Sequence, residues 1–225
     1  EIYIRTDLNE RMLTSINTIE FVDQQLTNIS DSLRQAEIIL QNFRAGRGIF
    51  DLSVEGRALL ARMETLYTEK NLLSLHLEYF NYLENYLNSK KDLKGLVSPA
   101  SLGIDDASIA NIVTELNSHT LERDGLLLSV KPDNIAVVRI EQKINSLTAL
   151  LLEKVEGMRE VNRIKITEIN KRLTEQEKNL RLLPVTEREL VNMERKFSVH
   201  EKFYTYLMEK RIEAGIAKAS NISDN

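Results

Sequence analysis

Three histidines, His76, His119 and His200, are the side chains in this sequence best suited to bind a metal or transfer a proton. They lie on three separate predicted helices, and none has a second ligand at metal-binding spacing. Glu201 follows His200, but a zinc-binding helix would need another histidine four residues after the first. We therefore interpret all three as surface or interface histidines, and we expect neither a metal nor a cofactor.

Motifs for nucleophilic or phosphoryl-transfer chemistry are also missing. The sequence contains no Walker-type phosphate loop, no dinucleotide-binding glycine pattern and no serine in a glycine-flanked elbow. Its 34 acidic residues are spread along predicted helix faces and are not paired around a concave sugar site. The sequence therefore predicts that this segment is not an enzyme.

Basic residues between positions 159 and 181 form a candidate track for an anionic polymer. Acidic residues alternate with them, and Glu168 and Arg172 have the four-residue spacing that stabilises a helix surface. The whole chain has 30 basic and 34 acidic residues, so its net charge is only −4. We interpret the run as a solvated helix face and expect no nucleic-acid partner.

The elements that carry these residues are predicted from hydrophobic periodicity. Apolar side chains recur every three or four residues over long tracts, and only 8 glycines and 3 prolines interrupt the chain. The predicted fold class is mainly all-α. It consists of long antiparallel helices in an extended, coiled-coil-like hairpin or bundle, with at most a small partial α/β base.

Residues 1–90 are expected to form a long αα-hairpin. Its helices are predicted at about 7–44 and 53–90, and Gly46 and Gly48 can adopt the left-handed turn that ends the first. The short connection implies that the second helix returns antiparallel to the first.

Residues 91–105 are the predicted linker, because one proline and two glycines break the helical periodicity there. The linker is unusually apolar, and such side chains need to be covered. We expect it to fold back onto the third helix, while docking on a neighbouring subunit is the alternative. The residues concerned are Leu96, Val97, Leu102 and Ile104.

Residues 106–225 are predicted to be helical, with a long helix at 134–182 and a C-terminal helix at 186–219. Pro184 separates these two helices, and Thr186 and Glu189 form a capping box for the second. Polar Asn162 and Gln176 interrupt the apolar stripe of the long helix, where they either set the helix register or are tolerated core positions. The other stripe residues are Ile140, Ile144, Leu147, Leu151, Val155, Met158, Ile166, Ile169, Leu173, Leu180 and Leu183.

The C-terminal helix also carries the most specific spaced pattern in the sequence. Its residues are Pro184, Glu187, Glu189, Arg195, Tyr204, Leu207, Arg211, Glu213, Ala214 and Ala217. This pattern resembles the GNVR segment of the bacterial polysaccharide co-polymerases, also called chain-length determinants, particularly those fused to a cytoplasmic tyrosine autokinase.

The resemblance implies a non-catalytic periplasmic region of an inner-membrane protein. Such a region takes part in chain-length control and export of capsular or exopolysaccharide through homo-oligomerisation. Polysaccharide and the polymerase or export proteins are the implied partners. The ends of the sequence suggest a segment of a longer protein, with flanking membrane spans and any kinase domain outside it. The alternatives are a periplasmic adaptor hairpin of a secretion or efflux system and a coiled-coil scaffold protein.

Overall fold

The computed structural model describes residues 2–48, 51–89 and 93–223, and these form five long α-helices and one short 3₁₀ helix. No strand occurs among the described residues, so the predicted all-α fold class is confirmed. The elements are α1 (Ile2–Arg47), α2 (Val54–Asn88), the 3₁₀ helix (Pro99–Leu102), α3 (Ala107–Leu127), α4 (Ile135–Leu180) and α5 (Val185–Ser223).

Two helices begin earlier than the sequence predicts. Helix α1 begins at Ile2 instead of about residue 7, because neither glycine nor proline interrupts the preceding residues. Helix α5 begins at Val185, and the amide of Arg188 donates to the carbonyl of Pro184 at 2.9 Å. Pro184 therefore stands in the capping position, and the capping box predicted at Thr186 is wrong. The predicted end of the second helix, residue 90, lies outside the described residues.

Local hydrogen bonds explain the other helix ends. The carboxylate of Asp106 accepts from the amide of Ile109 at 3.0 Å and caps α3. The side chain of Asn134 caps α4 by accepting from an amide two residues later, at 2.9 Å. Gly48 has a φ of 64° and donates its amide to the carbonyl of Arg44, so the left-handed turn expected after α1 is confirmed.

The chain divides into two compact units, each assembled from segments that are distant in sequence. The first unit comprises Glu1–Val22, His76–Glu160 and Lys210–Asn225. The second comprises Asp23–Leu75 and Val161–Glu209. The predicted hairpin of residues 1–90 therefore contributes a segment of each of its helices to both units.

Aromatic side chains form part of the core of the first unit. The ring centroid of Phe21 lies 6.3 Å from that of Tyr79 and 5.6 Å from that of Tyr82. Tyr79 is fully buried, and its hydroxyl donates to the carbonyl of Val97 at 2.8 Å. Burial, with a smaller contribution from Tyr82, raises the pKa of Tyr79 well above its ordinary value. The hydroxyl therefore stays protonated and continues to donate this hydrogen bond at neutral pH.

The predicted linker is packed into the first unit. The side-chain amide of Asn17 on α1 donates to the carbonyl of Gly95 at 2.7 Å, and Lys94 forms an ion pair with Asp124 on α3 at 2.5 Å. The linker thus folds back onto its own chain, as expected, but it contacts α1 and α2 as well as α3. Its buried apolar side chains are Leu93, Leu96, Val97, Leu102 and Ile104.

The second unit has an aliphatic core to which α1, α2, α4 and α5 all contribute. Burying these side chains removes apolar surface from water, which is the main favourable term in folding. One buried cluster consists of Leu40, Leu52, Leu59, Met63, Leu180, Leu190 and Val191, and another of Leu66, Leu73, Ile169 and Leu173.

The stripe predicted along the long helix is confirmed, since every one of its positions is buried or half-buried. Asn162 is only 3% exposed, and its side-chain nitrogen has no hydrogen-bond partner among the described residues. The predicted basic and acidic residues of the opposite face are exposed from 163 to 181, as expected for a solvated face. Arg159 differs, because it is half-buried and donates to Glu84 on α2 at 2.6 Å.

Candidate functional site

The residues of the spaced motif on α5 fall into two groups. Those from Pro184 to Leu207 belong to the second unit, while Arg211, Glu213, Ala214 and Ala217 belong to the first. The motif therefore does not form a single cluster of reactive side chains. Its members have separate contacts within each unit.

Glu187 completes a capping box that is shared between two helices. The hydroxyl of Ser53, which precedes α2, accepts from the amide of Gly56 at 3.0 Å. The carboxylate of Glu187 accepts from the amide of Ser53 at 2.8 Å. In an ordinary capping box the second bond comes from the residue three positions after the cap. That residue is Gly56 here, and α5 supplies the carboxylate in its place.

Gly56 leaves the space that this carboxylate occupies. A Cβ atom at position 56 would overlap the carboxylate oxygen of Glu187. We therefore expect Gly56→Ala to destabilise the second unit by about 0.5 kcal/mol in the natural sequence, because displacing Glu187 costs about 1–1.5 kcal/mol and the helix propensity of alanine offsets part of that loss. In a Glu187→Ala background the same change should stabilise by about 0.5–1 kcal/mol, because alanine favours a helix over glycine.

A double-mutant cycle by urea denaturation, followed by far-UV circular dichroism, tests this change of sign. Gly157→Ala is the matched control, since a Cβ at that helical glycine would have nothing within 4 Å. It should stabilise equally in both backgrounds. If Gly56→Ala has the same effect with and without Glu187, the shared capping box has no energetic role.

Arg195 and the adjacent Glu194 attach α5 to α2 and α1. The guanidinium carbon of Arg195 lies 4.2 Å from the centroid of the Tyr67 ring on α2. The same guanidinium donates to the side chain of Asn192 at 3.2 Å. Glu194 accepts from Arg44, near the end of α1, at 2.6 Å. These contacts position α5 within the second unit.

The other motif residues of the second unit differ widely in exposure. Leu207 is fully buried, Glu189 and Tyr204 are half-buried, and Pro184 is exposed. Their burial indicates that this part of the motif acts mainly through packing.

A groove of about 740 Å³ in the first unit is lined by the motif residues Glu213, Ala214 and Ala217. Its other walls come from α1, the 3₁₀ helix and α3, and they are rich in hydroxyl groups. Asn117, on the α3 wall, has a buried side-chain oxygen without a hydrogen-bond partner among the described residues. Sequence reasoning missed this groove because its hydroxyl residues are scattered over several elements. They are Thr14, Ser15, Thr18, Ser101, Thr114, Ser118 and Ser220.

The three histidines lie apart on α2, α3 and α5, and all are half-buried. Nδ1 of His119 lies 3.1 Å from the carboxylate of Glu122 on the same helix. His200 lines a cavity in the second unit. Across the described part of the chain, no three histidine, cysteine or acidic residues are grouped as a metal site would require.

Within the described residues, no helix combines the length and apolar character that crossing a membrane requires. The resemblance of the α5 motif to polysaccharide co-polymerases finds no counterpart in comparisons of the chain with known proteins. No family model, curated protein or solved structure matches this chain.

Proposed function

We propose that this chain is the non-catalytic periplasmic region of an inner-membrane polysaccharide co-polymerase. It acts by homo-oligomerisation in the chain-length control and export of a capsular or exopolysaccharide. The observation that carries the proposal is the spaced motif on α5. Several of its side chains hold that helix in place: Glu187 at the start of α2, Arg195 on Tyr67, and fully buried Leu207. A protein that works by arranging subunits needs such a fixed scaffold.

Exposed apolar side chains near the end of α5 provide a surface for self-association. Ile212 and Ile216 are 53% and 65% exposed, and they lie one turn apart on the same helix face. Ala219, also exposed, is small enough to let a second helix approach closely. Covering the isoleucines with a second copy would remove their apolar surface from water.

The proposal is tested by deleting the gene in the bacterium that carries it and restoring it as the full coding sequence. The natural sequence should restore the length distribution of the surface polysaccharide on gels, together with cross-linked oligomers in the inner membrane. Ile212→Lys/Ile216→Lys should broaden that distribution and leave monomers, because charge on this face opposes association. Val161→Lys/Ile164→Lys is the matched control, since these α4 residues are 43% and 59% exposed.

Two results would contradict the proposal. One is a gene product that does not fractionate with the inner membrane. The other is a deletion strain whose polysaccharide keeps its amount and length. If export of a protein or small molecule is lost while polysaccharide is unchanged, the adaptor-hairpin alternative is favoured instead.

A further inference from the structure

A cavity in the second unit has the composition of an anion-binding site. It has a volume of about 510 Å³ and is lined by residues of α1, α2 and α5. Arg195, Lys196 and His200 line it from α5, while Gln35 and Asn71 present side-chain amides from α1 and α2. We refer to it as the Arg195 cavity. No acidic side chain of the described residues lines it.

Among the described residues that line the Arg195 cavity, none is acidic and could neutralise its positive charge. Glu194 is adjacent in sequence, but it is paired with Arg44 at 2.6 Å. Burial lowers the pKa of His200, and the charges of Lys196 and Arg195 lower it further. Only the smaller, electrostatic part of this shift reflects a positive local potential, which is the condition that favours a bound anion.

Two nitrogen atoms of the cavity-lining residues lack partners. Nε of Arg195 and Nδ1 of His200 are buried and have no hydrogen-bond partner among the described residues. Both atoms are closed to solvent, so a ligand in the cavity would not contact them directly. An oxyanion there would instead compensate the charge of the Arg195 and Lys196 side chains that line the cavity.

We propose that the Arg195 cavity binds an oxyanion, such as the carboxylate or phosphate group of a larger ligand, through Arg195, Lys196 and protonated His200. The side-chain amides of Gln35 on α1 and Asn71 on α2 are additional donors among the lining residues. Tyr67 gives that ligand a ring to pack against. This inference does not depend on the proposed role in polysaccharide assembly.

Binding is measurable through the protonation of His200. Among the cavity-lining residues that face it, Arg195 and Lys196 on α5 are charged, Tyr67 on α2 is titratable, and α1 contributes neither kind. A bound anion stabilises imidazolium and should raise the pKa of His200 by roughly one unit. The ring signals of His76 and His119 should not respond to the anion, because neither residue lines the cavity.

The experiment is an NMR titration of the three histidine rings in the whole chain, with their signals assigned by His76→Gln and His119→Gln. It is run in sodium sulfate, in sodium acetate and in sodium chloride at equal ionic strength. Sulfate is used in place of a phosphate dianion because the charge of sulfate does not change during the pH titration. If the pKa of His200 rises in sulfate alone, the ligand is phosphate-like, and if it rises in acetate alone, the ligand is a carboxylate. If it rises in both, the cavity is a general oxyanion site.

Substitution of Lys196 separates site binding from general screening. Lys196→Gln should weaken sulfate or acetate binding at least about fivefold, because a charge-assisted contact is lost. Lys202→Gln is the matched control, since Lys202 is on the same helix but is paired with Glu64 at 2.6 Å. The proposal is overturned if chloride shifts His200 as far as the oxyanions do. It is also overturned if Lys196→Gln and Lys202→Gln change binding equally.

Discussion

Gly95→Ala is expected to destabilise the first unit by about 3 kcal/mol, which combines backbone strain with steric overlap. Gly95 has a φ of 70°, in the left-handed region that disfavours other residues. An added Cβ would also lie 2.8 Å from Cβ of Leu13 and 3.1 Å from its carbonyl carbon on α1. Because these atoms belong to or adjoin the helix backbone, a change of rotamer cannot relieve the overlap.

Gly48→Ala separates the two contributions to this loss. Gly48 has a similar φ of 64°, but a Cβ there would have nothing within 4 Å. Its substitution should therefore cost only the conformational term, about 1 kcal/mol. Urea denaturation followed by far-UV circular dichroism measures both losses, because it follows the helices of the first unit, which contains Gly95, and of the second, which contains Gly48. Equal losses for both alanine variants would show that the linker does not pack tightly on α1.

Leu207→Ala is expected to cost about 3 kcal/mol, because truncating a fully buried leucine removes apolar contacts and leaves a cavity. Leu207 has no exposed surface and belongs to the second unit. Amide hydrogen exchange along α5 between residues 190 and 209 should become faster. The urea concentration needed to unfold this part of the chain should also be lower than in the natural sequence.

Arg211→Ala is the matched control from the same motif. Arg211 is exposed and only four residues away, so its substitution should change stability by less than about 0.5 kcal/mol. If the two variants lose similar stability, burial does not explain the presence of leucine at position 207. In a polysaccharide assay, Arg211→Ala can then report on function without the effects of unfolding.

Helices were the part of this fold most accessible to sequence reasoning. The stripe along α4 follows the period of an α-helix, and burial depends directly on that period. Its predicted ends, 134 and 182, lie within two residues of the observed Ile135 and Leu180. The start of α5 was predicted to within one residue, but its capping residue was predicted wrongly because Thr186 and Glu189 match a local capping motif. The nearby Pro184 carbonyl satisfies the first turn instead.

Tertiary contacts between distant segments were not accessible in this way. The Arg195 cavity needs Gln35, Asn71 and His200 together, and no spacing rule relates residues of three different helices. His200 was correctly expected on a helix, and its basic neighbours Arg195 and Lys196 lie five and four residues before it on the same helix. Only the walls from α1 and α2 depend on tertiary packing. The hydroxyl-rich groove was missed for the same reason.

The hydrogen bond between Glu187 and Ser53 has a consequence for biosynthesis. The two residues are 134 positions apart, so every residue between them is synthesised before the carboxylate exists. Until then the amide of Ser53, which precedes the first turn of α2, lacks this hydrogen-bond acceptor in the nascent polypeptide. The beginning of the second helix therefore acquires its complete set of hydrogen bonds only after the start of the fifth helix has been synthesised.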